Sequence, residues 1–137
     1  VRDVQTTAGD DDVLVIGDLN AYGRGDPITT LAGGGLVDQI ALRITAPYSF
    51  VFDGQAGYLD HALSTPSLAA QVSGIAEWHI NADEPVVLDY HTGSRPQDLY
   101  APTPYRSSDH DPVIIGLELV GPEIAAENVH DVDRVFE

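Results

Sequence analysis

Apolar and polar residues follow one another along the chain in short runs that predict strands separated by turns and helices. Val13–Ile16 is a continuous apolar run, which is typical of a strand buried on both faces. Tyr48–Phe52 alternates aromatic with smaller residues and precedes the turn signal Asp53–Gly54, so we predict a hairpin whose return strand covers Tyr58–Leu63. The remaining predicted strands are Gly74–Ile80, which carries the single Trp78 and should place it in the core, and Val113–Val120.

Helix signals lie between these strands. Asp26–Pro27 supplies an N-cap and a first helical residue, and Gly33–Gly35 ends that helix. Thr65–Pro66 starts a second short helix, while Leu36–Arg43 fits either a helix or an irregular connection. The pattern predicts a mixed α/β (α+β) domain over residues 1–120, in which short helices cover one face of one mixed sheet.

Two long segments lack periodicity. Residues 81–107 are rich in Pro, Asp, Tyr and Ser, and a loop of that length inside a compact domain is usually functional or mobile. Residues 121–137 form an acidic stretch of weak pattern, which we interpret as a tail or linker.

The charge balance restricts how the domain can bind its partners. Twenty-two acidic residues against six basic ones give a formal net charge of −16. A protein that holds a nucleic-acid backbone by charge alone should be basic, so phosphate would be repelled here unless cations intervene. An acidic surface is also what keeps secreted proteins soluble. The chain has no cysteine, which excludes disulfides and thiolate metal sites.

Three short acidic motifs lie at the ends of predicted strands. Asp18 and Asn20 stand two residues apart, a spacing that puts both side chains on one side of an extended chain. Asp60 lies in an otherwise apolar strand, where an unpaired buried carboxylate is costly, so it needs a partner or a role. Asp109 precedes His110, and an acid beside an imidazole can fix its tautomer for acid–base work. These residue types can bind a divalent cation and a phosphate together.

The order of these motifs and their flanking residues resemble the endonuclease/exonuclease/phosphatase family, whose fold is that of DNase I. Tyr48–Leu63, Glu77–Pro85 and Tyr105–Val113 are similar to the bacterial extracellular nuclease branch of that family. The resemblance covers nearly everything except the ends of the chain, and it is to the C-terminal half of the family's domain only. It therefore implies one half of a four-layer αββα sandwich, with a sheet face built to meet a second sheet.

The resemblance implies a role for each motif residue. Asp18 would hold a metal and orient or deprotonate the attacking water, and Asn20 would bond the scissile phosphate. Asp60 would assist the leaving group or a second metal position. Asp109 would hold a metal and orient His110, which would contact the phosphate as a base or charge stabiliser. The metal would be Mg²⁺, Mn²⁺ or Ca²⁺, all of which prefer oxygen ligands.

Three further residues are interpreted beside the motifs. His79 and Asn81 are possible additional substrate contacts in the nuclease branch. His61 should point away from Asp60 by strand alternation, and we interpret it as structural.

The family's first half, which supplies a metal-binding glutamate and another catalytic histidine, has no counterpart before Asp18. Val1–Asp3 has neither a methionine nor a signal region, and we expect a boundary within a longer protein. The parent would be a secreted, metal-dependent nuclease, and this chain alone would bind metal weakly and hydrolyse little. A bare apolar sheet face would then pack against the missing half or against a second copy, as a homodimer.

Two other functions stay open. The parent could be a phosphatase of the same superfamily that acts on lipid or inositol head groups. The chain could instead be a non-catalytic calcium-binding or interaction module, with Asp10–Asp12 as its best feature, although no loop has the spacing of an EF-hand. No apolar run approaches the length of a membrane span, so no membrane partner is expected.

Overall fold

The computed structural model describes residues 1–88, 99, 101 and 103–120. The predicted tail at 121–137 and residues 89–98 of the predicted long loop lie outside that part of the chain. Within it, no helix is long and apolar enough to cross a membrane. In chain order the elements are α1 (Arg2–Ala8), β1 (Leu14–Asp18), α2 (Asp26–Gly33), β2 (Val37–Asp38), α3 (Gln39–Arg43), β3 (Phe50–Phe52), β4 (Gln55–Gly57), β5 (Asp60–Ser64), α4 (Pro66–Ala69), β6 (Val72–Glu77), a 3₁₀ turn (Val86–Leu88) and β7 (Val113–Leu117).

The strands form three small antiparallel sheets. β5 is the middle strand of the largest, between β1 and β2, while β3 pairs with β4 and β6 pairs with β7. The mixed α/β class is confirmed, because the described chain contains both helices and antiparallel strands. The prediction of one mixed sheet is wrong for these residues: β3 and β4 have three residues each and pair only with one another.

The hairpin prediction is right in its turn and wrong in its return strand. Asp53 and Gly54 have φ angles of 52° and 76°, and β4 follows them directly. The predicted return segment instead forms β5, which pairs with β1 so that Asp60 lies opposite Asp18 and His61 opposite Gly17. Because β5 has a strand on either side, every residue after Asp60 in it is buried.

A small apolar cluster covers one face of β1. Helix α2 begins at Asp26, with Gly25 rather than Asp26 as its N-cap, and buries Ile28. The members of the cluster are Ala21, Ile28, Leu36 and Leu63, with Val15, Leu19 and Leu31 packed against it. The opposite face of β1 carries Ile16, which is 47% exposed. The prediction that this strand is buried on both faces is therefore wrong, because a helix covers only one of them.

The segment that the sequence left open is a short strand followed by a helix. The Asp38 carboxylate ends β2 and caps α3, since its Oδ1 accepts hydrogen bonds from the backbone N–H of Ile40 and Ala41 at 3.0 and 3.1 Å. Helix α3 packs against β5 and β6 and buries Ile40 completely. This helix thus connects the first sheet to the third.

Trp78 does not lie in the core. Its side chain is 48% exposed, one residue beyond the end of β6. The backbone N–H of Trp78 donates to the Pro112 carbonyl at 2.9 Å, so the main chain is held while the indole faces outward. The prediction of a core tryptophan is wrong because the strand ends before it.

Candidate functional site

The first motif lies where β1 ends. Asp18 Oδ1 accepts from the Asn20 backbone N–H at 2.7 Å, and Asp18 Oδ2 accepts from Asn20 Nδ2 at 3.2 Å. Asn20 has a φ of 50°, a left-handed conformation that Asn tolerates better than most residues. The chain is therefore turned rather than extended here, contrary to the prediction. The two side chains nonetheless lie together, and both residues are exposed.

A hydrogen bond joins the second motif to the third. His110 Nδ1 lies 2.7 Å from Asp60 Oδ2, and the two side chains are only 18% and 14% exposed. Asp60 is also the direct cross-strand partner of Asp18. Residues paired in this way have Cβ atoms roughly 4.5–5.5 Å apart. The β1–β5 pairing thus places Asp18 beside Asp60, and the hydrogen bond to Asp60 adds His110 as a third predicted site residue.

The carboxylate that holds the His110 ring is Asp60, and the prediction that Asp109 orients this ring is wrong. Two backbone bonds set the position of the loop: His110 N–H donates to Ser108 Oγ at 3.0 Å, and Asp111 N–H donates to the Ser49 carbonyl at 2.8 Å. Tied in this way, the loop presents the imidazole to β5. The predicted metal-ligand role of Asp109 stays a prediction.

Ser49 supports the Asp60–His110 pair and was missed from the sequence. Its Oγ donates to Asp60 Oδ2 at 2.7 Å and accepts from the backbone N–H groups of Leu59 and Asp60 at 3.1 and 3.2 Å. Ser49 is fully buried. The Phe50 ring packs on the His110 ring at 4.6 Å between centroids. A serine before an aromatic strand gives no catalytic signal in a sequence, so only the contacts reveal this role.

Asp111 forms a second, buried polar centre beside the first. Its Oδ1 accepts from the backbone N–H of Ile80, Asn81 and Ala82 at 3.0, 2.8 and 3.0 Å. Its Oδ2 lies 2.9 Å from His79 Nδ1. Burial acts to raise the pKa of Asp111, but the bonds from Ala82, His79, Asn81 and Ile80 outweigh it, and the pKa is lowered. Asp111 therefore stays ionised and ties the 79–82 segment to the His110 loop.

His79 presents a fixed imidazole at the surface. Its side chain is 39% exposed, and the ring stacks on Tyr48 with centroids 4.1 Å apart and planes 4° apart. The Tyr48 hydroxyl donates to Asp83 Oδ2 at 2.8 Å, and this bond with burial raises the pKa of Tyr48 to about 12. The predicted substrate contact of His79 stays a prediction that its exposure permits.

The Asn81 side chain is buried and already makes hydrogen bonds within the protein. Asn81 is only 3% exposed, and its Nδ2 donates to the His110 carbonyl at 2.8 Å while its Oδ1 accepts from Ser107 N–H at 3.2 Å. Arg106 donates to the Asn81 carbonyl at 2.6 Å. The prediction that Asn81 contacts substrate is therefore wrong, because both ends of its amide are already bonded. Asn81 positions the His110 loop instead.

Glu77 is a further acidic residue that the motifs did not include. Its Oε2 accepts from the Tyr48 backbone N–H at 3.0 Å, while Oε1 is buried with no hydrogen-bond partner in the described structure. Burial raises the pKa of Glu77, more strongly than the bond from Tyr48 lowers it.

The described residues contain no group of three His, Asp or Glu side chains arranged to hold a metal ion. Asp18 and Asp109, the metal ligands proposed from the sequence, are carboxylates, and Mg²⁺ prefers oxygen ligands of this kind. Asp18 is exposed, and Asp109 lies beside His110. A cation on either residue would need further oxygen ligands, from water, from phosphate or from another segment.

His61 lies on the opposite face of β5 from Asp60, fully buried, as the strand alternation predicts. Its Nε2 lies 2.7 Å from the Ala21 carbonyl, which can only accept, so this nitrogen carries the proton. Its Nδ1 is 3.8 Å from Asp38 Oδ2, which is too long for a hydrogen bond but close enough for charge attraction. Burial acts to lower the pKa of His61, but Asp38 and Ala21 outweigh it and the pKa is raised.

We expect this pair to make the stability of the fold depend on pH. Because the pKa of His61 is raised above its ordinary 6.5, its contribution is complete below pH 6.5 and is lost as the pH rises through the raised value. His61→Gln can still donate to Ala21 but cannot titrate, so its unfolding free energy should fall less over that range. Urea denaturation at a series of pH values gives the unfolding free energy of both proteins. An unfolding free energy that falls equally with pH in the wild type and in His61→Gln would contradict the prediction.

No family model matches this chain, and comparison with curated proteins and with solved structures gave no match either. The function must therefore be inferred from the site itself.

Proposed function

We propose that this chain carries one side of the active site of a metal-dependent phosphodiesterase that acts on nucleic acid. The observation that supports this most is the His110–Asp60 pair, with 2.7 Å between Nδ1 and Oδ2, opposite Asp18 across the β1–β5 pairing. An imidazole held by a carboxylate beside a second, exposed carboxylate has the parts that hydrolysis of a phosphodiester needs.

The hydrogen bond at Nδ1 decides what His110 can do. Since Asp60 accepts there, Nε2 is the ring nitrogen left for the substrate. A neutral His110 would take a proton from an attacking water at Nε2, and a protonated one would donate to a phosphoryl oxygen. The exposed Asn20 amide would donate to another phosphoryl oxygen without adding negative charge.

Asp18 and Asp109 would hold the cation in this proposal. A bound Mg²⁺ or Mn²⁺ would stabilise negative charge on the phosphate as a Lewis acid. The chain's own net charge of −16 repels a nucleic-acid backbone, so the proposal requires such a cation for binding as well.

We also propose that the fold is the C-terminal half of a DNase I-like sandwich. Support comes from the face of β1 that carries the exposed Ile16 and Asp18, although Ala62, the partner of Ile16 on β5, is already buried. This is the face on which a first half or a second copy would pack, and such a partner stays a prediction.

We expect hydrolysis to require a divalent cation. Supercoiled plasmid, RNA and inositol hexakisphosphate are offered to this chain and to the longest gene product that contains it. With the longer gene product, plasmid nicking or RNA cleavage should appear with Mg²⁺ or Mn²⁺ and fall by about tenfold or more in EDTA, because the phosphate charge is then no longer offset. Added Mg²⁺ should restore it. This chain alone should cleave little.

Other outcomes separate the rival functions. Release of phosphate from the inositol compound without cleavage of nucleic acid would favour a phosphatase. Calcium-dependent stabilisation without hydrolysis in any form of the protein would favour a non-catalytic module. Asp53→Asn is the matched control, since Asp53 is an exposed carboxylate in the β3–β4 turn, and it should leave the rate unchanged.

A further inference from the structure

A cleft opens beside the first motif, and its lining begins at Tyr22. It has a volume of about 560 Å³, within the roughly 300–1,000 Å³ that is usual for small-molecule sites. The loop after Asn20, helix α3 and strand β4 supply its walls. Its lining combines two tyrosines and an arginine with apolar residues and includes Tyr22, Gly23, Arg24, Gly57 and Tyr58.

The cleft lies close to the proposed reaction site along the chain. Tyr22 is two residues after Asn20, and two residues of chain span at most about 7 Å. The Tyr22 side chain is 51% exposed, which is high for a large aromatic residue with no partner on its outer side in the described chain. A ligand in the cleft would therefore reach the neighbourhood of Asp18 and Asn20.

Two glycines let the tyrosines lie against the walls. A Cβ at Gly57 would be 2.7 Å from Tyr22 Cε1, and a Cβ at Gly23 would collide with the Tyr58 hydroxyl. Each tyrosine side chain thus contacts backbone that carries no side chain, and the two contacts join the loop after Asn20 to strand β4.

Buried polar contacts hold these walls in place. The Tyr58 hydroxyl donates to Asp38 Oδ2 at 3.2 Å, and burial, together with Asp38, raises the pKa of Tyr58 to about 12, so the hydroxyl stays protonated. The Tyr58 ring also packs on buried His61 at 4.8 Å between centroids, and His61 holds the carbonyl of Ala21, the residue before Tyr22. The cleft is therefore formed before any ligand arrives.

Arg24 gives the cleft its only positive charge among the lining residues. The chain has just six basic residues, and Arg24 is exposed at the mouth and close enough to lower the pKa of Tyr58 in part by its charge. Within the described chain it forms no ion pair. Its guanidinium can donate two hydrogen bonds to a phosphate and pair with its charge.

We propose that this cleft binds an unpaired nucleobase, which stacks on Tyr22, with the adjoining phosphate on Arg24. The inference rests on the proposed function, since it names the substrate class of that site as single-stranded nucleic acid. Stacking suits a strongly acidic protein because a nucleobase is an uncharged aromatic surface and is not repelled. A paired base inside a duplex cannot enter such a cleft, so single strands are preferred over duplexes.

The test is a binding assay with two fluorescein-labelled octamers in Mg²⁺: oligothymidylate, and an abasic strand of equal charge. Wild-type protein should bind the thymidylate more tightly. Tyr22→Ala should weaken that binding by about 5- to 150-fold and leave the abasic strand unchanged, as expected for the loss of one stacked base. Tyr22→Phe should keep the affinity, because the ring remains.

A second variant separates the phosphate contact from the base contact. Arg24→Gln should weaken both octamers equally and reduce the slope of log affinity against log salt by about 0.7, the value for one contact to a single strand. Phe52→Ala is the matched control, because Phe52 is a 66% exposed aromatic on β3 and does not itself line the cleft.

The outcomes keep the inference apart from the proposed function. Equal affinity of wild type and Tyr22→Ala for thymidylate would overturn the inference, whether or not metal-dependent hydrolysis is found. Tyr22-dependent binding, together with no hydrolysis by the longer gene product, would overturn the proposed function and leave the base site standing. A duplex that binds as well as the single strand would also overturn the inference.

Discussion

Replacing Asp111 with alanine should lower the free energy of unfolding by about 3–5 kcal/mol, the range for removing one partner of a buried charged network. The carboxylate is 1% exposed and accepts three backbone N–H groups and the His79 ring. Alanine would leave all four donors without their acceptor, and each buried unsatisfied group costs roughly 1–3 kcal/mol, less whatever water recovers.

The measurement is chemical denaturation of the variant beside two others. Asp111→Asn keeps an acceptor oxygen for the backbone groups and should lose clearly less stability than Asp111→Ala. Asp109→Ala, two residues away, should change stability by about 0.5 kcal/mol or less, because the half-buried Asp109 carboxylate makes no hydrogen bond within the described chain. Equal losses at both positions would show that Asp111 does not organise this part of the fold.

Asp111→Asn should also change how the unfolding free energy depends on pH in acid. Because the pKa of Asp111 is lowered below its ordinary 3.8, its contribution is complete above that pH and is lost as the pH falls through the lowered value. Asp111→Asn cannot show this loss. Its unfolding free energy should therefore fall less steeply than that of the wild type below pH 3.8.

Local signals in the sequence predicted the turns and most strands. Asp53–Gly54 needs positive φ angles and obtains them, and Thr65–Pro66 begins α4. That Asp60 needs a partner or a role was also predictable, because an unpaired acid in an apolar strand is costly, and the structure supplies His110 as the partner. These features depend on a few neighbouring residues or on a simple cost of burial.

The remaining features depend on which segments meet in space. β5 pairs with β1 and not with β3, and this places β5 between two strands, where it is buried. The local turn signal at Asp53–Gly54 carries no information about that arrangement. Ser49 and Asp111 bind backbone groups of other segments, so their residue types alone did not predict their structural roles. Trp78 was misplaced because the end of β6 is set by its partner β7.

Replacing Asp60 with asparagine should lower the rate of metal-dependent hydrolysis by about 100-fold. A positioned acid–base group contributes roughly 10²–10⁴ in rate, and His110 can act only while its tautomer and orientation are held at Nδ1. Asparagine at position 60 would present either its carbonyl oxygen or its amide N–H to His110 Nδ1. Ser49 Oγ would compete with His110 for the carbonyl oxygen. The rate is measured on the substrate cleaved in the EDTA experiment, with Asp53→Asn as the control.

A double-mutant cycle shows whether Asp60 works through His110. His110→Gln alone should cost about 10²–10⁴ in rate, and adding Asp60→Asn to it should cost little more, because groups that act as a unit are strongly non-additive. Asp109→Asn should behave differently: if Asp109 holds a cation rather than the imidazole, its effect should multiply with that of His110→Gln. Full additivity of Asp60 and His110, combined with non-additivity of Asp109 and His110, would return the orienting role to Asp109 and contradict the geometry described above.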